Sequence, residues 1–196
     1  GQRTASVWDL TSSARKLGEW ATAGVTYHSA AWQGPVALIG NLRGEVQRID
    51  LANPDRPEVR SPLTIREKNA VTALAATADL VVAGGPRDRL VLFDSAGVAL
   101  PDFQAPGPVS SLDVSEDGTE ILMGSTTSTA LLLEVSGATL RTIREFPLES
   151  GAHAVTHMGQ RMALSSSRGG VVIVSRAGEV IGRLPLRSVV TSISAG

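Results

Sequence analysis

Short apolar runs that close on an acidic or small polar residue recur along this chain at a nearly constant interval. They are Ser6-Val7-Trp8-Asp9, Gln47-Arg48-Ile49-Asp50, Val91-Leu92-Phe93-Asp94, Leu131-Leu132-Leu133-Glu134 and Val172-Ile173-Val174-Ser175, and their last residues lie 41, 44, 40 and 41 positions apart. A period of that size marks a repeated supersecondary unit, which cannot bury its own apolar face and must stack on copies of itself. Two chemically independent markers keep the same beat. Gly97, Gly137 and Gly178 follow three of the runs at spacings of 40 and 41, where a short hairpin turn needs the positive φ that glycine supplies. In the earlier copy, Asn53 with Pro54 and Pro57 fills that stretch, and asparagine is expected to serve in glycine's place. A Val followed by Thr or Ser recurs at Val25-Thr26, Val71-Thr72, Val109-Ser110, Val155-Thr156 and Val190-Thr191, with spacings of 46, 38, 46 and 35. The variation falls in the connection before each pair, where loops tolerate it.

Within one period the chain reads as four short β runs separated by turn residues. The clearest copy alternates over Val109 to Val114, turns at Ser115-Glu116-Asp117-Gly118, returns over Thr119 to Met123, turns at Gly124 to Thr127, and runs out again over Ser128 to Val135. Ala138 to Phe146 completes it before Pro147. Glycine and proline together number 30 and no 3.6-residue stripe persists, which argues against a solenoid of helix pairs. Four antiparallel strands in 40 to 45 residues, repeated, describe a propeller blade, a thin twisted sheet buried on both faces only by its neighbours. Val81, Leu122 and Ala163 are expected in mid-sheet, with Leu92, Leu132 and Ile173 at equivalent third-strand positions.

At this point the residues resemble a family. Ser6-Val7-Trp8-Asp9-Leu10 looks like the Trp-Asp close of a WD (WD40) repeat, Val109 to Gly118 resembles its innermost strand and following turn, and Gly151-Ala152-His153-Ala154-Val155 is similar to its Gly-His lead-in. The resemblance implies an all-β, WD40-like β-propeller over residues 1–196. It divides into a partial blade at 1–20, four complete four-stranded blades at about 25–66, 71–105, 109–147 and 154–187, and one inner strand at 189–195. The chain departs from the family pattern in its motifs: Ile49, Phe93, Leu133 and Val174 stand where Trp8 has the tryptophan, and only His153 resembles the lead-in histidine. The family's buried His-Ser-Asp-Trp hydrogen-bond network is therefore not expected in any blade, and apolar packing is expected to hold each one. Rings of this kind commonly have seven blades, so the resemblance also implies flanking blades or domains in the same polypeptide.

The resemblance further implies a non-catalytic protein-interaction scaffold that holds a protein or peptide partner at a propeller rim. Loops joining second and third strands share one rim with the connections between blades. Arg43, Arg87, Arg89 and Arg168 are the candidate binding residues there, because a guanidinium group recognises carboxylate or phosphate bidentately. The competing explanation is surface arginine for solubility, since arginine outnumbers lysine sixteen to two throughout. Divergent arrays of this type often follow signalling ATPase, protease or kinase domains in bacteria, and the Ala- and Arg-rich composition suits such a source. A sensor or regulatory module of a larger signalling protein is thus the second expectation. A propeller enzyme with its site in further blades is the third.

No P-loop, His-Glu-x-x-His helix, Gly-x-Ser-x-Gly elbow or EF-hand loop occurs, and no cofactor or metal is expected. His153 and His157 are four apart, which on a strand places them about 13 Å from each other at roughly 3.3 Å per residue, too far for one ion. His153 is expected to hydrogen-bond within its blade, and His28 and His157 to face the channel or a neighbouring blade. Asp113 could project into the channel, but its matching positions, taken as Ser29, Ala75 and Gly159, form no carboxylate ring, so a solvated aspartate is expected. Net charge is −1, with ten acidic and three basic side chains over 88–150 and five arginines against Glu179 alone over 151–196. That balance exerts no global pull toward nucleic acid, and aromatics at 4% are few for stacking bases. No run approaches the roughly 20 apolar residues of a spanning helix. The absence of cysteine fits a cytoplasmic location.

Overall fold

The computed structural model describes residues 4–9, 14–21, 25–65 and 69–193. Regular structure among these residues is entirely β. A two-stranded ribbon of β1 (Thr4–Asp9) and β2 (Arg15–Ala21) precedes four antiparallel sheets of four strands each. The first sheet contains β3 (Tyr27–Gln33), β4 (Val36–Asn41), β5 (Glu45–Asp50) and β6 (Glu58–Thr64). In the second are β7 (Ala73–Ala76), β8 (Leu80–Gly84), β9 (Arg89–Asp94) and a two-residue β10 (Phe103–Gln104). The third is β11 (Val109–Val114), β12 (Glu120–Ser125), β13 (Thr129–Ser136) and β14 (Thr139–Pro147), and the fourth is β15 (Val155–Met158), β16 (Arg161–Ser165), β17 (Val171–Ser175) and β18 (Val180–Leu184). In every sheet the strands pair in chain order, and the first strands β3, β7, β11 and β15 lie side by side. These are the blades of a partial β-propeller, with the first strand of each innermost.

Apolar side chains sit between blades. Along β12, Ile121 and Met123 pack toward the second blade with Leu80, Val82 and Leu90, while Leu122 packs toward the fourth with Met162 and Leu164. Along β8 the same division sends Val81 and Ala83 back toward the first blade. A strand with both faces covered reads as a continuous apolar run, and β4, β7 and β8 are buried at every residue. The opening ribbon contributes Val7 to a fourth shared cluster with Ala37, Ile39 and Ile49 of the first blade.

A recurrent polar link accompanies the packing. The backbone N–H groups of Val71, Val109 and Ala152, each at the start of a blade, donate to the carbonyls of Asn41, Gly85 and Ser125 in the preceding blade at 2.9, 2.8 and 2.8 Å. Hydroxyl groups reinforce it, Ser29 Oγ donating to the Val71 carbonyl at 3.0 Å and Ser110 Oγ to that of Ala152. The close approach requires a glycine one residue earlier. A Cβ on Gly40 would lie 2.6 Å from Val71 Cγ1, one on Gly84 2.6 Å from Val109 Cγ1, and one on Gly124 3.0 Å from Val155 Cγ1.

The turn glycines Gly97, Gly137 and Gly178 have φ of 93°, 57° and 90°. Asn53 does not substitute for them in that role, because it lies outside the left-handed region and its Oδ1 instead accepts from the Asp55 N–H at 3.1 Å, closing a wider turn. Residues 189–193, expected in an inner strand, form none, since among the described residues no further strand lies beside them to complete a ladder; 194–195 lie outside the described residues.

Gly84→Ala should lower stability by about 1–3 kcal/mol through overpacking against Val109. Urea unfolding of the single variants and of Gly84→Ala with Val109→Ala should show a strongly non-additive rescue; simple additivity would refute the contact as the cause.

Candidate functional site

The turns between second and third strands carry the sequence-derived candidates, with differences among them. Arg43 lies in the β4–β5 turn, Arg87 in the β8–β9 turn and Arg168 in the β16–β17 turn, all exposed. Because every sheet runs in the same sense, the three turns occupy one rim. Two of the backbones are pinned from within: the Arg43 N–H donates to Asn41 Oδ1 at 2.8 Å, and the Arg168 N–H lies 3.3 Å from both the Ser150 and Ser166 hydroxyls. Arg87 Nε reaches Asn69 Oδ1 at 3.4 Å. Arg89 is different. It is the first residue of β9 rather than part of the loop, and it pairs with Asp102 on the neighbouring outer segment at 3.3 Å, so its charge is already engaged. The third blade breaks the series with Thr127, whose hydroxyl meets Ser125 Oγ at 2.9 Å.

A second constellation, missed as a pair by sequence reasoning, joins the third and fourth blades. Asp113 Oδ2 accepts the His157 backbone N–H at 2.6 Å, the His157 ring at Nδ1 at 3.1 Å and the Thr156 hydroxyl at 3.3 Å. Asp113 is therefore not the solvated aspartate expected. Burial pushes its carboxyl up, but the hydrogen bonds from the His157 ring and backbone, together with Thr156, outweigh burial and hold it below the ordinary carboxylate range. The matching positions also need correction. Asp113 pairs with Leu122, Ala31 with Leu38, Ala75 with Val82 and Thr156 with Ala163, and because Leu164, like Met123, packs toward the preceding blade, the residues equivalent to Asp113 are Ala31, Ala75 and Thr156. Bulges between Tyr27 and Ser29 and between Val109 and Ser111 displace the register from simple counting.

The remaining candidates resolve simply. His153 precedes β15, and the described residues offer its ring no hydrogen bond, contrary to the one expected within its blade. His28 is exposed on β3. Trp8 is 49% exposed with its Nε1 donating to Ser6 Oγ at 3.0 Å, so among the described residues it belongs to no buried tryptophan network. Asp117 caps its own turn, where bonds from the Ser115 hydroxyl and from the Thr119 N–H and hydroxyl lower its pKa to about 2. No group of three metal-ligating side chains occurs among the described residues.

Many chains of solved structures match this one. A chain of the "Crystal Structure of Mitotic Checkpoint Complex" superposes with a TM-score of 0.80 at 17% identity, covering 97% of this chain and 60% of that one. The fold is a partial WD40-like β-propeller. At that identity the likeness carries the fold alone, and the chain spans about three-fifths of the length of the chain it matches. No family model and no curated protein matches.

Removing the Asp113 carboxylate should cost about 1–3 kcal/mol at neutral pH by leaving the donors it serves unpaired. Because its folded pKa is depressed, that contribution is present above the ordinary carboxylate pKa and is lost as pH falls through and below it. The stability gap between the native chain and Asp113→Ala, followed by chemical denaturation from pH 7 to pH 3, should therefore narrow; a constant gap would refute the assignment.

Proposed function

We propose that the chain acts as a non-catalytic interaction scaffold whose arginine-bearing rim holds a protein or peptide partner. The observation that carries this reading is the construction of the rim. Three blades present an exposed arginine at corresponding turns, and two of the turn backbones are fixed beneath them, that of Arg43 by Asn41 and that of Arg168 by Ser150 and Ser166. Guanidinium groups held at fixed intervals suit the carboxylates of an acidic surface or the phosphates of a modified peptide. Fixing the loops beforehand reduces the ordering entropy that binding would otherwise cost.

Arg89 contributes rigidity to this reading rather than contact, since Asp102 occupies it. The absence of cysteine accords with a reducing compartment such as the cytoplasm. The chain's likeness to a component of an assembled complex supports binding as the general role.

Charge reversal of Arg43, Arg87 and Arg168 together, in the full protein, should reduce partner capture by an order of magnitude or more in quantitative affinity purification, with the urea midpoint unchanged. Equal recovery of every captured protein by the native and reversed rims would overturn the rim as the binding surface.

A further inference from the structure

The joints between neighbouring blades differ in how well they are filled. Where the first blade meets the second, the cleft beside Ile65, Ala83 and Val91 holds about 10 Å³. Where the second meets the third, Leu100, Phe103, Val135 and Leu140 extend the shared cluster toward the outer strands. The joint between the third and fourth blades is hollowed from two sides. A groove of about 710 Å³ lies between Phe146 and Leu148 of the third blade and Val172, Val174 and Val180 of the fourth, and Val180 on its wall is 52% exposed. A second groove, of about 1170 Å³, lies between the β11–β12 turn and the β15–β16 turn, on the rim opposite the arginines. Apolar contact survives between the two, where Leu122 and Leu132 meet Met162 and Leu164.

The polar closures of this joint are weak. Arg176 pairs with Glu120 and Arg183 with Glu149, each across the two blades, and ion pairs that reach solvent hold little and are screened by salt. Deeper in, the ring of His157 on the fourth blade is held by Asp113 on the third at 3.1 Å. The carboxylate takes the ring's Nδ1–H, which makes Nε2 an acceptor, and Nε2 is buried without a hydrogen-bond partner. A buried acceptor left unpaired is destabilising, and parting the blades would hydrate it. Among the described residues no other buried side-chain nitrogen or oxygen is left in that state, so the cost of closure falls on this joint alone.

The chain also crosses the joint by a short span. Leu148 stays with the third blade, its N–H donating to the Ser128 carbonyl at 2.8 Å, while the Gly151 carbonyl accepts the Ser167 N–H of the fourth at 2.8 Å. Glu149 and Ser150 lie between. We propose that the joint between the third and fourth blades is a hinge, which opens by rotation of the fourth blade as a unit about Glu149 and Ser150 and so changes the distance of Arg168 from Arg43 and Arg87. The hinge stands whether or not those arginines hold a partner; only its consequence for binding rests on the proposed rim.

The backbone N–H groups of Val71, Val109 and Ala152 each cross one joint to the preceding blade, so hydrogen exchange at these three amides compares the joints at matched geometry. In the full protein, the Ala152 and His157 amides should exchange about ten-fold faster or more than those of Val71 and Val109, after correction for intrinsic rates. Ladder amides between β16 and β17 should keep the protection of those between β12 and β13. Glu120→Gln, which removes the charge paired with Arg176, should speed exchange at Ala152 and His157 several-fold and leave Val71 and Val109 unchanged. Equal protection at the three joints would overturn the hinge. So would exchange within the β16–β17 ladder as fast as at the joint, which would mean that the fourth blade unfolds rather than rotates, or a Glu120→Gln effect that is absent or spread over every joint. Loss of the rim as a binding surface would leave this exchange pattern as it is.

Discussion

A four-stranded sheet that carries apolar side chains on both faces must find cover for both, and here the cover is always another sheet of the same kind. Ile121 and Met123 look to one neighbour and Leu122 to the other, so each blade is half of two cores and owner of none. The burial of large aliphatic side chains contributes about 1.5–3 kcal/mol each, and in this arrangement that contribution belongs to pairs of blades. Everything else in the molecule is placed by this constraint. It sets the turns at two rims, brings the inner strands together, and holds Asp113 within reach of a residue forty-four positions away.

The inter-blade hydrogen bonds make the stacking directional. A carbonyl at the end of each second strand waits for an N–H from the blade that follows, and the glycine just before it gives the next valine room to approach.

The architecture was legible because its markers are local. The beat of the apolar runs and the positive-φ glycines Gly97, Gly137 and Gly178 both reside within a few residues of sequence. What escaped notice depended on two blades at once. Gly40, Gly84 and Gly124 keep the repeat spacing, yet their purpose is visible only when Val71, Val109 and Val155 are seen against them. The Asp113–His157 pair escaped because it joins two blades: counting from the Val-Thr pairs matched Asp113 to Gly159 instead of Thr156, and His157, one residue on, turns back toward the third blade. Arg89 was misplaced for a related reason: one step separates the turn from β9, and that step turns a free charge into one bound to Asp102. Trp8, whose sequence resembles the family's Trp-Asp close, lies largely outside the packing, as the absence of an expected tryptophan network allows.

The forward direction of the links bears on how such a chain emerges from a ribosome. As each sheet leaves the exit tunnel, its second-strand carbonyl and one apolar face remain open until the following inner strand has been synthesised. Blades 40 residues apart would thus be sealed in order of synthesis, and a pause in translation would leave a single unsealed face at the growing end while the earlier joints stayed closed.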